Sequence, residues 1–162
     1  MFIRVKKING INYAYLVENV WTPKGSRQNV TAYLGKVVQL QKKKTTPAKL
    51  TPTQYTELIN QLLESTLLDY GFIKQTTTNF CLQDIIVDLK HQQVTKNNKP
   101  AILALEQGHL CEHTIAELIR FSKKENPEKT AIALASALLA AGITVSTENM
   151  VALYESIQPN NT

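Results

Sequence analysis

Asn9-Gly10 constrains this chain more than any other dipeptide in it. A two-residue type I′ turn needs positive φ at both central positions, and Asn-Gly meets that need at least cost. It separates two β-prone runs, Phe2 to Ile8 and Ile11 to Val20, so the front of the chain is expected to open with a hairpin. A third run, Gln28 to Leu34, follows the turn-forming stretch Thr22-Pro23-Lys24-Gly25-Ser26, which makes a three-stranded antiparallel meander. The tight turn also sets the register, pairing Ile8 with Ile11, Lys6 with Tyr13, Val5 with Ala14, Arg4 with Tyr15 and Ile3 with Leu16. Directly opposite residues point to the same side. Ile3, Val5, Ala14 and Leu16 therefore line one face, with Val30, Ala32 and Leu34 expected to join them. Arg4, Lys6, Tyr13 and Tyr15 line the other, with Arg27, Thr31 and Tyr33.

Charge is concentrated in the same segment. Residues 1–50 carry ten Lys and Arg against one acid, Glu18, a net +9, whereas the remaining 112 residues carry a net −4. Such asymmetry points to a polyanionic partner for the basic part. Cations among aromatic rings on an exposed sheet suit phosphate contacts and base stacking. The expected binding residues are Arg4, Lys6, Tyr13, Tyr15, Trp21, Lys24, Arg27, Tyr33, Lys36 and the lysine triplet Lys42, Lys43 and Lys44. Trp21 serves either as a stacking residue at the sheet edge or as a core plug. A competing use of the face is packing: Phe2, Ile8, Ile11 and Val17 share its parity, so a helix could cover part of it.

The pattern Met1-Phe2-Ile3-Arg4-x-Lys6-Lys7, then Tyr13-x-Tyr15-Leu16-Val17-Glu18, then Arg27-Gln28-x-Val30-x-x-Tyr33-Leu34-Gly35-Lys36 resembles the N-terminal segment of insertion-sequence transposases of the DDE class. The resemblance implies a role in handling nucleic acid. It does not extend to a catalytic domain, whose three carboxylates have no counterpart in the rest of the chain, so transposase activity is not carried over.

Three segments are expected: a basic meander over 1–41, a linker over 42–50 without apolar periodicity, and an α+β module over 51–162. In the last, Thr51-Pro52-Thr53-Gln54 reads as a capping box opening a helix through Leu58, Ile59, Leu62, Leu63 and Leu67 toward Gly71. Two or three short strands follow, at Phe72–Lys74, Asn79–Leu89 and Ala101–Leu105, the last after the polar turn Lys96-Asn97-Asn98-Lys99-Pro100. Helices are expected over Glu112–Lys123, from Pro127 to Ala141 closed by Gly142, and from Ser146 to before Pro159. The fold class is thus α+β, a three-stranded meander followed by short strands and about four helices.

Other constellations are weaker. His109-x-Cys111-x-His113 alternates three potential metal ligands, yet structural zinc sites draw paired motifs from separated positions, and a buried cysteine with ordinary histidines is the plainer reading. Asp84 and Asp88 would share a face if their segment were one strand. The final helix pair has a helix-turn-helix outline, but its second helix carries Glu148 and Glu155 and no Lys or Arg, the wrong charge for a recognition helix. No phosphate-cradling Gly-rich loop or nucleophile elbow occurs, and no catalytic residue, metal or cofactor is expected. Two cysteines, an N-terminus too charged for a signal sequence and the lack of a membrane-length apolar run favour a cytoplasmic protein. The functional expectation is a non-catalytic nucleic-acid-binding protein, for DNA or RNA, with sheet tyrosines favouring single strands. The alternative is a protein-interaction subunit whose C-terminal helices dimerise or dock a partner.

Overall fold

The computed structural model describes residues 1–157. Within them the chain forms an α+β fold of nine strands and four helices, three N-terminal antiparallel strands leading into a mixed sheet. β1 (Phe2–Ile8), β2 (Ile11–Thr22) and β3 (Gly25–Gln39) make the meander, with Asn9 and Gly10 both at positive φ as the turn requires. The β1–β2 register is the one the turn dictates, from Ile8 opposite Ile11 to Ile3 opposite Leu16. The second hairpin is longer than expected. Thr22 pairs with Gly25 around Pro23-Lys24, and the Thr22 hydroxyl donates to the Gly25 carbonyl at 2.7 Å.

The register of β3 departs from simple alternation. Leu16 pairs with Ala32 but Val17 with Val30, so Thr31 is an extra residue; Tyr15 pairs with Tyr33 but Ala14 with Gly35, so Leu34 is another. Each β-bulge shifts the parity of the strand residues beyond it. Val30 therefore sides with Val17, not with Ala32, and Arg27, opposite Val20, lies on the face away from the tyrosines. The expectation that Arg27 shares their face is corrected by the bulge at Thr31.

β3 then runs on beside β8 (Lys99–Ala104) as a parallel pair, Lys36 opposite Ala101 through Gln39 opposite Ala104. Gly35 is what allows the approach: its φ is +130°, and a Cβ there would sit 2.3 Å from the Pro100 carbonyl oxygen. The meander thereby joins the sheet of the second half, whose strand order is β1-β2-β3-β8-β7-β6-β5-β4. The remaining strands are β4 (Ile73–Lys74), β5 (Asn79–Leu82), β6 (Ile85–Asp88), β7 (Gln93–Lys96) and β9 (His109–Leu110), which pairs with β8. The single extended run expected over Asn79–Leu89 is instead a hairpin, turned at Gln83 with φ +55°. The polar stretch at Asn97-Asn98 is a turn as expected, both residues having positive φ.

The helices α1 (Tyr55–Asp69), α2 (Glu112–Ile119), α3 (Pro127–Ala140) and α4 (Thr147–Ser156) bury one shared core with the sheet. Leu58, Ile59, Leu62, Leu63 and Leu67 of α1 meet Phe80, Val87, Leu103, Ile115, Leu118, Leu134 and Leu153. Asn126 and Ser146 cap α3 and α4 through their side chains, accepting from Lys129 N and Asn149 N. α1 starts later than the capping box suggested. Gln61 holds Thr51 through both its backbone groups, the Thr53 hydroxyl bonds Glu57, and the helix opens at Tyr55 without a side-chain cap. α2 stops at Ile119, and Phe121 packs beyond it against Tyr55 with ring centroids 6.3 Å apart. The expected end of the last helix, at Gln158 before Pro159, lies outside the described residues.

The stretch 42–50 is no free tether. Lys43 N and Lys44 N donate to the Asp69 carbonyl, and Thr46 N to the Asp69 carboxylate at 3.1 and 3.2 Å. Ala48 and Leu50 pack on the core, and Ala48 accepts from Asn149 at 2.8 Å. Among the described residues no helix is long and apolar enough to cross a membrane.

Candidate nucleic-acid interface

Six of the expected residues come together on one face. Tyr13 lies opposite Lys6 and Lys36, and Tyr15 opposite Arg4 and Tyr33. Parity along β2 puts all six on the same side of the sheet. Tyr33 takes the centre, its ring centroid 5.5 Å from that of Tyr15 and 6.4 Å from that of Tyr13, at interplanar angles of 54° and 44°. The Lys6 ammonium stands 5.4 Å from the Tyr15 centroid, within range of a cation–π contact. Arg4 reaches along the sheet and donates to the side-chain oxygen of Gln28. Partial burial in this cluster raises the Tyr33 hydroxyl above its usual pKa, and the neighbouring Tyr13 and Tyr15 add to the shift. The three rings form a platform rimmed by Arg4, Lys6 and Lys36.

The question of helical cover is answered by position along the face. Where the same side of the sheet continues into β8, Val38, Ala101 and Leu103 lie in the helical core. The cover stops there: Lys36, Tyr33, Arg4 and Lys6 are exposed, Tyr33 at 55%. The opposite face is closed only at its base, where Ala14 packs with Ile102 and Cys111, and Ile3, Leu34 and Val37 border them. Leu16 is buried there, whereas Val5 stays exposed.

The other expected residues lie elsewhere. Trp21, Lys24 and Arg27 are at the tip of the β2–β3 ribbon; eight residues separate Tyr13 from Trp21, about 26 Å of strand. Trp21 is 83% exposed, so it is no core plug. Lys42, Lys43 and Lys44 lie beyond the other end of β3, held at the C-terminus of α1, where their charge complements the helix dipole. Beside them is a cavity of about 280 Å³, lined in part by Lys42, Leu62, Asp69, Tyr70, Val145 and Asn149. The twelve residues therefore do not form one continuous track; the six on the open face do form one patch.

Sequence reasoning missed two groups. Asn19 and Gln28 are directly opposite each other, on the tyrosine face. Their pairing depends on the Thr31 bulge, for which the sequence carries no signal. Asp69, only 5% exposed, anchors the basic stretch through three backbone N–H groups, and its spacing from that stretch offered no clue.

The metal and carboxylate arrangements are not assembled. Among the described residues no three His, Cys, Asp or Glu side chains stand close enough to hold a metal ion. Cys111 is the N-cap of α2, its thiol raised by burial against the opposing effect of hydrogen bonds from Thr114, and burial lowers the pKa of His109. Asp84 sits in the β5–β6 turn, 3.7 Å from Lys96, while Asp88 bonds His91 at 2.6 Å. Asp84 immediately precedes β6 and Asp88 ends it, and each carboxylate is engaged by its own neighbour. In the C-terminal pair, Leu134, Leu138 and Leu153 are buried in the core, whereas Ile132, Leu139 and Val151 are exposed.

No protein family, curated protein or solved structure matches the chain.

Proposed function

We propose that this chain binds nucleic acid, without catalysis, through the open face of its N-terminal sheet. One observation carries the reading: Tyr13, Tyr15 and Tyr33 form a contiguous aromatic platform, rimmed by Arg4, Lys6 and Lys36, where the helical cover of the sheet ends. Lys and Arg at the rim supply phosphate contacts, and the phenol hydroxyls supply further donors to phosphate oxygens. The face carries three cations and no acid; Glu18, the one acid of the first fifty residues, lies on the other side, bonded to Asn29.

The test is binding of DNA and RNA to the full chain across a salt series. Neutralising about three phosphates predicts a slope of log K against log salt near −2 to −3. Charge reversal by Arg4→Glu with Lys6→Glu abolishes the binding. Absent or salt-independent binding would overturn the reading.

A further inference from the structure

The ribbon changes character beyond Val17. β1 ends with Phe2 opposite Val17, so Glu18–Thr22 and Gly25–Asn29 project as two strands with no third. This tip spans five rungs, about 15 Å, and is exposed along nearly its whole length. On the tyrosine side it presents the cross-strand pair Asn19 and Gln28, then Trp21 and Ser26. Arg4 joins the pair from β1 through its bond to the Gln28 side-chain oxygen, which leaves the Gln28 amide nitrogen and the remaining guanidinium N–H groups for a ligand.

These residue types and this shape have a common match. The major groove of B-form DNA is about 12 Å wide and about 8.5 Å deep, and it admits a two-stranded β-ribbon, whose backbones lie about 4.8 Å apart. Asn and Gln side chains pair with the N6 and N7 edge of adenine in that groove, and Arg with the O6 and N7 edge of guanine. A-form RNA closes its major groove to side chains, and a single strand has no groove. The tyrosine rings point the same way: tilted by 44° to 54° to one another, they do not offer separate parallel platforms for successive unpaired bases.

We propose that the two-stranded tip enters the major groove of duplex DNA and reads base edges with Asn19 and Gln28, while Arg4, Lys6 and Lys36 contact phosphates along the groove. The proposal rests on the nucleic-acid reading above and narrows it to one class of partner. The expectation of single strands, drawn from tyrosine content alone, gives way to duplex DNA on this geometry.

The test uses the full chain and a DNA duplex pool with a randomised centre, from which bound duplexes are selected. Affinity is then measured for a selected duplex, the unselected duplex pool, a single-stranded DNA pool and a double-stranded RNA of equal length at one salt concentration. The selected duplex is expected to bind tightest. Replacing its adenines by 7-deazaadenine, which removes the major-groove acceptor and keeps base pairing, is expected to weaken binding about five-fold or more. In the Asn19→Ala, Gln28→Ala double variant the selected duplex loses its advantage, the 7-deaza effect disappears, and affinity for the unselected pool is retained. That retained affinity shows that the variant is folded. Equal binding of single strands or RNA, or a wild-type 7-deaza substitution without effect, overturns the proposal and leaves the nucleic-acid reading standing. Absence of binding to every probe at low salt removes both.

Discussion

Lys6 and Tyr15 make the smallest unit that ties physical chemistry to the proposed role. The ammonium over the ring holds a charge at a defined height above the sheet. Lys6→Ala is therefore expected to weaken binding of every nucleic-acid sequence to a similar extent and to lower the salt slope by about one, read from the same titration. Tyr33 contributes differently, since its raised pKa keeps it neutral to higher pH than an ordinary phenol. Asp88 provides a pH-dependent contribution to the fold. Partial burial opposes ionisation of its carboxylate, but the hydrogen bonds and charge of His91 prevail and lower its pKa. Its stabilising contribution is accordingly present above the unfolded carboxyl pKa and is lost as the pH falls through the lower folded value. Thermal melts across the acid range are expected to show a shallower acid loss in Asp88→Asn than in the wild type.

At the scale of elements, Gly35 and Asp69 decide how the basic segment is mounted. Gly35→Ala would drive a Cβ into the Pro100 carbonyl at the β3–β8 junction, with positive φ adding strain. The expected loss is roughly 2 kcal/mol or more, seen as a fall of several degrees in the melting temperature. Asp69→Ala leaves Thr46 N without its carboxylate acceptor, and losing this part-buried hydrogen bond is expected to cost about 1 kcal/mol. The elements also show which features were legible from the residues. Asn9-Gly10 announced its turn and with it the entire β1–β2 register, because a tight turn leaves no freedom in pairing. The apolar stripe of α1 and the caps at Asn126 and Ser146 were equally legible, being local. The bulges at Thr31 and Leu34 were not. Alternation along β3 carries no mark of them, and they are why Arg27 left the face and Lys36 joined it. The helix start was misread for a similar reason, since Gln61, ten residues on, holds Thr51 in place.

For the whole molecule, the sheet is the unit that matters. Its helical layer ends where Val38 gives way to Lys36, so the same surface is core at one end and open, basic and aromatic at the other. That continuity was beyond sequence reading, because a parallel pairing between β3 and β8 spans more than sixty residues of chain. It predicts that the meander does not fold alone: a peptide of residues 1–41 loses β8 as well as Ile102 and Cys111 from the base of its buried face. Circular dichroism of that peptide is expected to show a disordered chain, since an isolated small sheet is at best marginal in water. Backbone amide chemical-shift mapping of the full chain titrated with nucleic acid separates the open face from every other surface. Shifts are expected to centre on Lys6, Tyr13, Tyr15, Tyr33 and Lys36 and to extend toward the ribbon tip; shifts confined to the Lys42–Lys44 stretch or to α3 and α4 would overturn binding by this face.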